Sequence, residues 1–90
     1  MTERMEIPDV WGHISQRWPS SEPFSQAAKV AEEAGEVVGA AIKEREGRRT
    51  VDDVLDELAD TIIAAMGAIQ ARGCNVSRVV TNRWAEVVER

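Results

Sequence analysis

The sequence predicts an all-α protein, an antiparallel bundle of about four helices per chain that assembles into a homo-oligomeric bundle. Three observations carry that prediction. Apolar residues recur at spacings of three and four along most of the chain, the period of a one-sided helix. Strict two-residue alternation, the mark of a half-buried strand, is absent. Proline, glycine and capping residues cut the 90 residues at three points, leaving segments of helical length between them.

The first segment is a short helix near Asp9 to Trp18. Pro19-Ser20-Ser21-Glu22-Pro23 closes it and opens the second, with Ser21 as the expected N-cap and a proline in the first turn behind it. The second helix runs from Pro23 to Glu46, with Val30, Ala34, Val37, Val38 and Ala41 as its stripe. Gly47, Arg48 and Arg49 make the next turn. Thr50 then caps a third helix, Val51 to Arg72, whose Asp52 and Asp53 suit the positive end of the helix dipole. Its stripe is Val51, Val54, Leu55, Leu58, Ile62, Met66 and Ile69. Gly73 ends it, and Asn75 or Ser77 starts the last helix, Val76 to Glu89, with Val76, Val80, Trp84, Val87 and Val88 on one side.

Ninety residues make a single domain spanning 1–90, and a chain of this size buries only a modest share of its surface. A homodimer or homotetramer is therefore expected. From Thr61 to Ala71 the third helix is small or apolar on nearly every side, and a helix apolar all round is buried all round. Ala64, Gly67, Ala68 and Ala71 are the expected points of close approach by a second subunit.

The net charge of −5 argues against a nucleic-acid polymer as partner, because duplex binding needs basic patches that release counterions. A phosphate-bearing ligand would need a metal as mediator. One cysteine, Cys74, allows no intrachain disulfide, and no apolar run approaches the roughly 18 residues of a membrane span. Met1 to Asp9 carries acids and no apolar stretch, unlike a signal peptide. The expected location is the cytoplasm, with no membrane partner.

Two acidic pairs stand out against this background, Glu33-x-x-Glu36 and Glu57-x-x-Asp60. A spacing of three puts both members of a pair on one helix face, about a turn apart. Each pair borders the apolar stripe of a long helix, and the turn at Gly47 makes the two helices antiparallel. Such carboxylates either take up protons or recruit cations. Glu33, Glu36, Glu57 and Asp60 are accordingly the candidate ligands for Mg²⁺, with Mn²⁺ as a substitute. A single such pair would be an ordinary solvated face. A di-iron bundle would need Glu-x-x-His pairs, and the one histidine, His13, is far from both motifs.

The stretch Lys29-Val-Ala-Glu-Glu-Ala-Gly-Glu-Val-Val-Gly-Ala-Ala-Ile-Lys43, followed by Asp56-Glu-Leu-Ala-Asp-Thr-Ile-Ile63, resembles the MazG-like all-α nucleoside triphosphate pyrophosphohydrolases. The resemblance spans roughly Trp18 to Trp84. It implies that Glu33, Glu36, Glu57 and Asp60 are catalytic and hold Mg²⁺, and that a nucleoside triphosphate is cut between its α and β phosphates, as in nucleotide-pool house-cleaning. Phosphoribosyl-ATP pyrophosphohydrolase shares the superfamily and a similar Lys-x-x-Glu-Glu-x-x-Glu run. It ranks second, because no Tyr-His pair follows Asp60. A third reading is a non-catalytic helical binding module.

Three further residues have both a functional and a structural reading, and Asn82 accompanies one of them. Lys29, one turn before Glu33, contacts phosphate or pairs with Glu33 or Glu36. The resemblance implies a phosphate contact for Arg83, near Asn82, against a surface pair with Glu86 or Glu89. It also implies base stacking for Trp18, against core packing. Trp11 and Trp84 read as core or interface anchors.

Overall fold

The computed structural model describes Glu6, Ile7, Val10, His13, Ile14 and residues 22–90. Among these, three helices are complete: α1 (Pro23–Arg45), α2 (Val51–Gln70) and α3 (Val76–Val87). The expected helix near Asp9 to Trp18 lies largely outside the described residues, although Ile7, Val10, His13 and Ile14 are helical. No strand occurs among the described residues. No described helix is long and apolar enough to cross a membrane.

Local chemistry sets each boundary. The cap of α1 is Glu22 and not Ser21, which itself lies outside the described residues. The Glu22 carboxylate accepts from the backbone N–H of Phe24 at 2.9 Å and of Ser25 at 3.1 Å, taking two of the donors that a helix start leaves open. A carboxylate does this better than a hydroxyl because it also opposes the dipole. At the other end, Gly47 takes φ 76°. The Gly47 N–H donates to the Glu44 carbonyl and the Arg48 N–H to the Lys43 carbonyl, a Schellman ending that only glycine enters without strain.

Thr50 caps α2 as expected. Its Oγ1 accepts from the Asp53 N–H at 3.3 Å, while its own N–H donates to Asp53 Oδ2 at 2.8 Å, a reciprocal capping box. Gly73, at φ 72°, ends the turn after α2. Asn75, not Ser77, then caps α3, accepting from the Arg78 N–H at 2.9 Å.

The short connection at 46–50 lays α1 and α2 side by side, and this pair dominates the packing. The facing positions are Gln26, Val30, Glu33, Val37 and Ala40 on α1, and Val54, Glu57, Thr61, Ala64 and Ala68 on α2. All are buried or half-buried. Their alternating three and four spacing is that of an antiparallel helix seam. A small core of Ile14, Met66 and Val76, flanked by Val10, Ile63 and Ile69, closes one end. The third helix leans only lightly on α2.

This geometry corrects the expected stripes. At about 100° per residue, Val51, Leu55, Leu58, Ile62, Met66 and Ile69 form one side of α2, a quarter turn or more from the seam. Only its C-terminal part is covered. Val51, Leu55, Leu58 and Ile62 remain 59%, 54%, 42% and 57% exposed. Val38 and Ala41 of α1 are exposed as well, and on α3 only Val76 is buried while Val80, Trp84, Val87 and Val88 face outward. Trp84 is therefore not a core residue of this chain. The expected approach of a second subunit at Ala64 and Gly67 is also corrected. Both are buried by the chain's own residues, and a Cβ on Gly67 would lie 3.2 Å from Gln26 Oε1 and 3.3 Å from Ile14 Cγ2.

Two outcomes test these boundaries. Thr50→Ala removes the cap's side chain and lowers stability by about 1 kcal/mol in urea unfolding. The Thr50 hydrogen bonds hold the Asp53 carboxyl below its usual range, and those from Phe24 and Ser25 do the same for Glu22. Their stabilising contribution is fully present above the ordinary values of 3.8 and 4.5 and disappears as pH falls through the depressed folded ones. Asp53→Asn should flatten the acid limb of a pH–stability curve; an unchanged limb refutes the assignment.

Candidate metal centre

Two carboxylates stand inside the helix seam. Glu33 and Glu57 share the seam with Val30, Val37, Val54 and Ala64 a turn or two away, so packing of the seam half-buries them. Glu36 lies one turn further along α1, exposed, on the flank nearest Glu57. One oxygen from each of Glu33, Glu36 and Glu57 falls within 4.8 Å of the others. Octahedral Mg²⁺, with bonds of about 2.1 Å, spaces its ligand oxygens about 3.0 to 4.2 Å apart, so small side-chain rotations close this trio onto the ion.

The surroundings show that positive charge is wanted there. Glu57 Oε2 is buried without a hydrogen-bond partner, a costly state for a carboxylate oxygen and one a cation relieves. The Thr61 hydroxyl, one turn away, gives the carboxylate nothing, because it donates to the Glu57 backbone carbonyl at 2.9 Å. Repulsion from Glu33 is the main reason the Glu36 carboxyl is raised above its ordinary 4.5, with desolvation and a hydrogen bond to Glu57 acting in the same direction. Lys29 Nζ reaches Glu33 at 3.5 Å, and its side chain stays 52% exposed. One partly solvated ammonium does not balance three carboxylates. The donor set and its unsatisfied oxygen fit a hard divalent cation.

Asp60 is outside the trio. It is exposed, and it lines a cavity of about 450 Å³ with Glu33, Lys29, Gln26, Ile14, Ile63, Ala64 and Gly67. The fourth expected carboxylate thus borders the centre from the cavity side. Lys29 lies between the two roles expected of it, paired with Glu33 and lining the same cavity. Arg83 forms an ion pair with Glu86 at 2.9 Å on an exposed face of α3, and Asn82 is exposed beside it. Neither lines this cavity. Trp18 lies outside the described residues.

Residues 13–83 match the family described as phosphoribosyl-ATP pyrophosphohydrolase. The chain belongs to that family. It is a pyrophosphohydrolase of the MazG-like all-α superfamily, a hydrolase acting on phosphoanhydride bonds. The matched family is the branch that the missing Tyr-His pair had placed second, since Thr61 and Ile62 follow Asp60 here. No curated protein and no solved structure matches the chain.

Gln26, Gly67 and Ile14 carried no motif that would mark them in the sequence. They reach the site because the antiparallel register sets Gln26 opposite Gly67, and the absence of a Cβ there leaves room for the amide and for Ile14.

Metal binding is measurable without turnover. Mg²⁺ at about a hundred times its Kd should stabilise the protein by roughly 2.7 kcal/mol, and Glu57→Gln should abolish the rise in Tm. In EDTA the sign differs. The raised Glu36 value means the folded form binds its proton more tightly, so metal-free stability falls as pH rises from about 4.5 through the higher folded value. Glu36→Gln should remove that fall and raise Tm at pH 7 in EDTA; a lower Tm would show that Glu36 is not held against repulsion.

Proposed function

We propose that this protein is a Mg²⁺-dependent nucleotide pyrophosphohydrolase that cleaves between the α and β phosphates of a nucleoside triphosphate, releasing a nucleoside monophosphate and pyrophosphate. The observation that carries the proposal is the convergence of Glu33, Glu36 and Glu57 with an unpartnered oxygen, at the edge of a cavity with apolar walls. Mg²⁺ and Mn²⁺ are the cations suited to such an oxygen donor set.

Each residue has a part in the reaction. Glu33, Glu36 and Glu57 would hold the ion, with Asp60 beside them on the cavity side. The ion, when bound, supplies Lewis acidity and neutralises charge on the phosphates. Asp60, outside the trio and exposed, has lone pairs free to orient the attacking water and take its proton as the oxygen closes on the α phosphorus. Lys29 brings a cation to the phosphate end of the cavity while tethering Glu33. Ile14, Ile63, Ala64 and Gly67 offer the nucleoside a dry wall, and Gln26 offers it an amide. Trp18 adds an aromatic face for the base. Asn82 and Arg83 lie on α3, where Arg83 is paired with Glu86, and do not line the cavity.

A second reading, favoured by the family match, takes phosphoribosyl-ATP as the substrate. The bond cleaved and the residues involved are the same, and the extra ribosyl phosphate is what the two substrates do not share.

The functional unit in this proposal is a homodimer or homotetramer. Val51, Leu55, Leu58 and Ile62 form an uncovered apolar stripe on α2, beside a groove of about 700 Å³ lined by Val37, Val38, Ala41 and Ile42. Covering a Leu or Ile side chain is worth up to about 1.5–3 kcal/mol, and a second copy presents the same stripe. Leu55→Asp with Ile62→Asp should convert the assembly to monomers in analytical ultracentrifugation. Sedimentation of the unsubstituted protein as a monomer would remove this part of the proposal.

Pyrophosphate release decides the activity. A panel of ribo- and deoxyribonucleoside triphosphates together with phosphoribosyl-ATP, with Mg²⁺, should give turnover on at least one. Asp60→Asn should lower kcat about 10²- to 10⁴-fold. Silence across the panel would leave the third reading, a non-catalytic binding module.

A further inference from the structure

On the side of the carboxylates away from the nucleoside cavity, α1 and α2 enclose a second cleft of about 410 Å³. Glu36 and Glu57 line its inner edge, Gly39 and Ala40 its floor, and Lys43 and Arg49 its outer end by the 46–50 turn. Lys43 is half-buried, and Arg49 sits one residue before the α2 cap. The turn brings these two cations together although six positions separate them in sequence.

What distinguishes them is their place, because both line the cleft beside the carboxylates of Glu36 and Glu57, while the Arg49 charge also acts on the Asp53 carboxyl. Lys29 pairs with Glu33, Arg48 with Glu46 at 2.7 Å, and Arg83 with Glu86. Arg72 donates to the backbone carbonyls of Pro23 and Ala68. Lys43 and Arg49 have no ion pair among the described residues, although the carboxylates of Glu36 and Glu57 line the same cleft. Gly39, between them and the trio, has nothing within 4 Å of where a Cβ would stand, so the cleft floor is open.

We infer that Lys43 and Arg49 bind the β and γ phosphates of the substrate, and hence the departing pyrophosphate, which gives the substrate one direction along the helix pair. The inference rests on the proposed pyrophosphohydrolase activity and deepens it. The order along the seam is nucleoside cavity, carboxylates, then paired cations. Glu36 and Lys43 are separated by about 10 Å of helix axis, a distance that a phosphate chain and a lysine stem share. The acidic trio alone would repel a polyphosphate tail, and the ion it holds can neutralise only part of that charge. A guanidinium and an ammonium beyond it supply charge-assisted donors to the terminal oxygens. The scissile bond then lies over the carboxylates, with the α phosphate on the side of Asp60 and the leaving group facing the turn.

The competing explanation is that Lys43 and Arg49 only screen the carboxylates. The two differ in what their removal does. Calorimetric titration of inorganic pyrophosphate into the Mg²⁺-loaded protein should show at least tenfold weaker binding in Lys43→Gln and in Arg49→Gln. Lys43→Arg should recover most of the loss. The Mg²⁺-induced rise in Tm should be unchanged in all three, and inhibition of turnover by the monophosphate product should also be unchanged. Pyrophosphate affinity equal to wild type in the Gln variants, with tighter Mg²⁺ binding, would establish screening and overturn the inference. Equal weakening by both products would overturn the direction assigned. Turnover with unaffected variants defeats this inference alone, whereas variant-sensitive pyrophosphate binding without turnover defeats the proposed activity and leaves the anion site standing.

Discussion

The structure depends on a conflict placed deliberately inside a helix–helix contact. Glu33 and Glu57 hold seam positions where apolar side chains would stabilise the pair, and Glu36 adds a third carboxylate at its edge. Packing of Val30, Val37, Ala40, Val54 and Ala64 around them brings the like charges together and dehydrates part of Glu57. The same packing that lowers the free energy of the fold therefore raises that of the carboxylates. A divalent cation bound to the trio would resolve the conflict. Stability is spent where binding is needed, a common relation between strain and function.

The neighbouring features follow from that arrangement. Two antiparallel helices have a direction, and the seam has unlike ends. Toward the N-terminus of α1, Gly67 opens space for Ile14 and Gln26 and the walls are apolar. Toward the turn, the walls are polar and carry two cations. A nucleotide has the same asymmetry, with an apolar, stacking head and a charged tail. The match of polarity between the candidate site and the proposed nucleotide substrate comes from the register of one helix pair.

The chain also leaves much apolar surface unburied. Its buried hydrophobic residues among those described are Ile14, Ala40, Ala64, Met66 and Val76, and no described large side chain is fully buried. A two-helix seam that gives positions to glutamates has fewer left for leucine. The apolar side of α2 from Val51 to Ile62 points away from the seam and stays exposed, the surface that the proposed homo-oligomer would cover. The single stripe expected on α2 was in fact two faces, because Val54 belongs with Glu57 in the seam and not with Val51 and Leu55.

The sequence by itself determined the all-α class, the turns at Gly47 and Gly73, the Thr50 cap and the nearness of the two acidic pairs. These are written in local period, capping chemistry and turn length, and none needs a distant contact. It also carried the superfamily, since the spacing of the glutamates is itself the motif, while it ranked the matched family second. Tertiary structure decided the rest: that Glu57 is the half-buried member with a buried, unsatisfied oxygen, that Asp60 stands apart, that Arg83 pairs with Glu86 and that Gly67 faces Gln26. Lys43 and Arg49 share a cleft for the same reason. Periodicity assigns a residue to a side of its own helix, but the choice of neighbour is made by the register and rotation of two helices against each other. That choice is a property of their joint packing and is written in neither one alone.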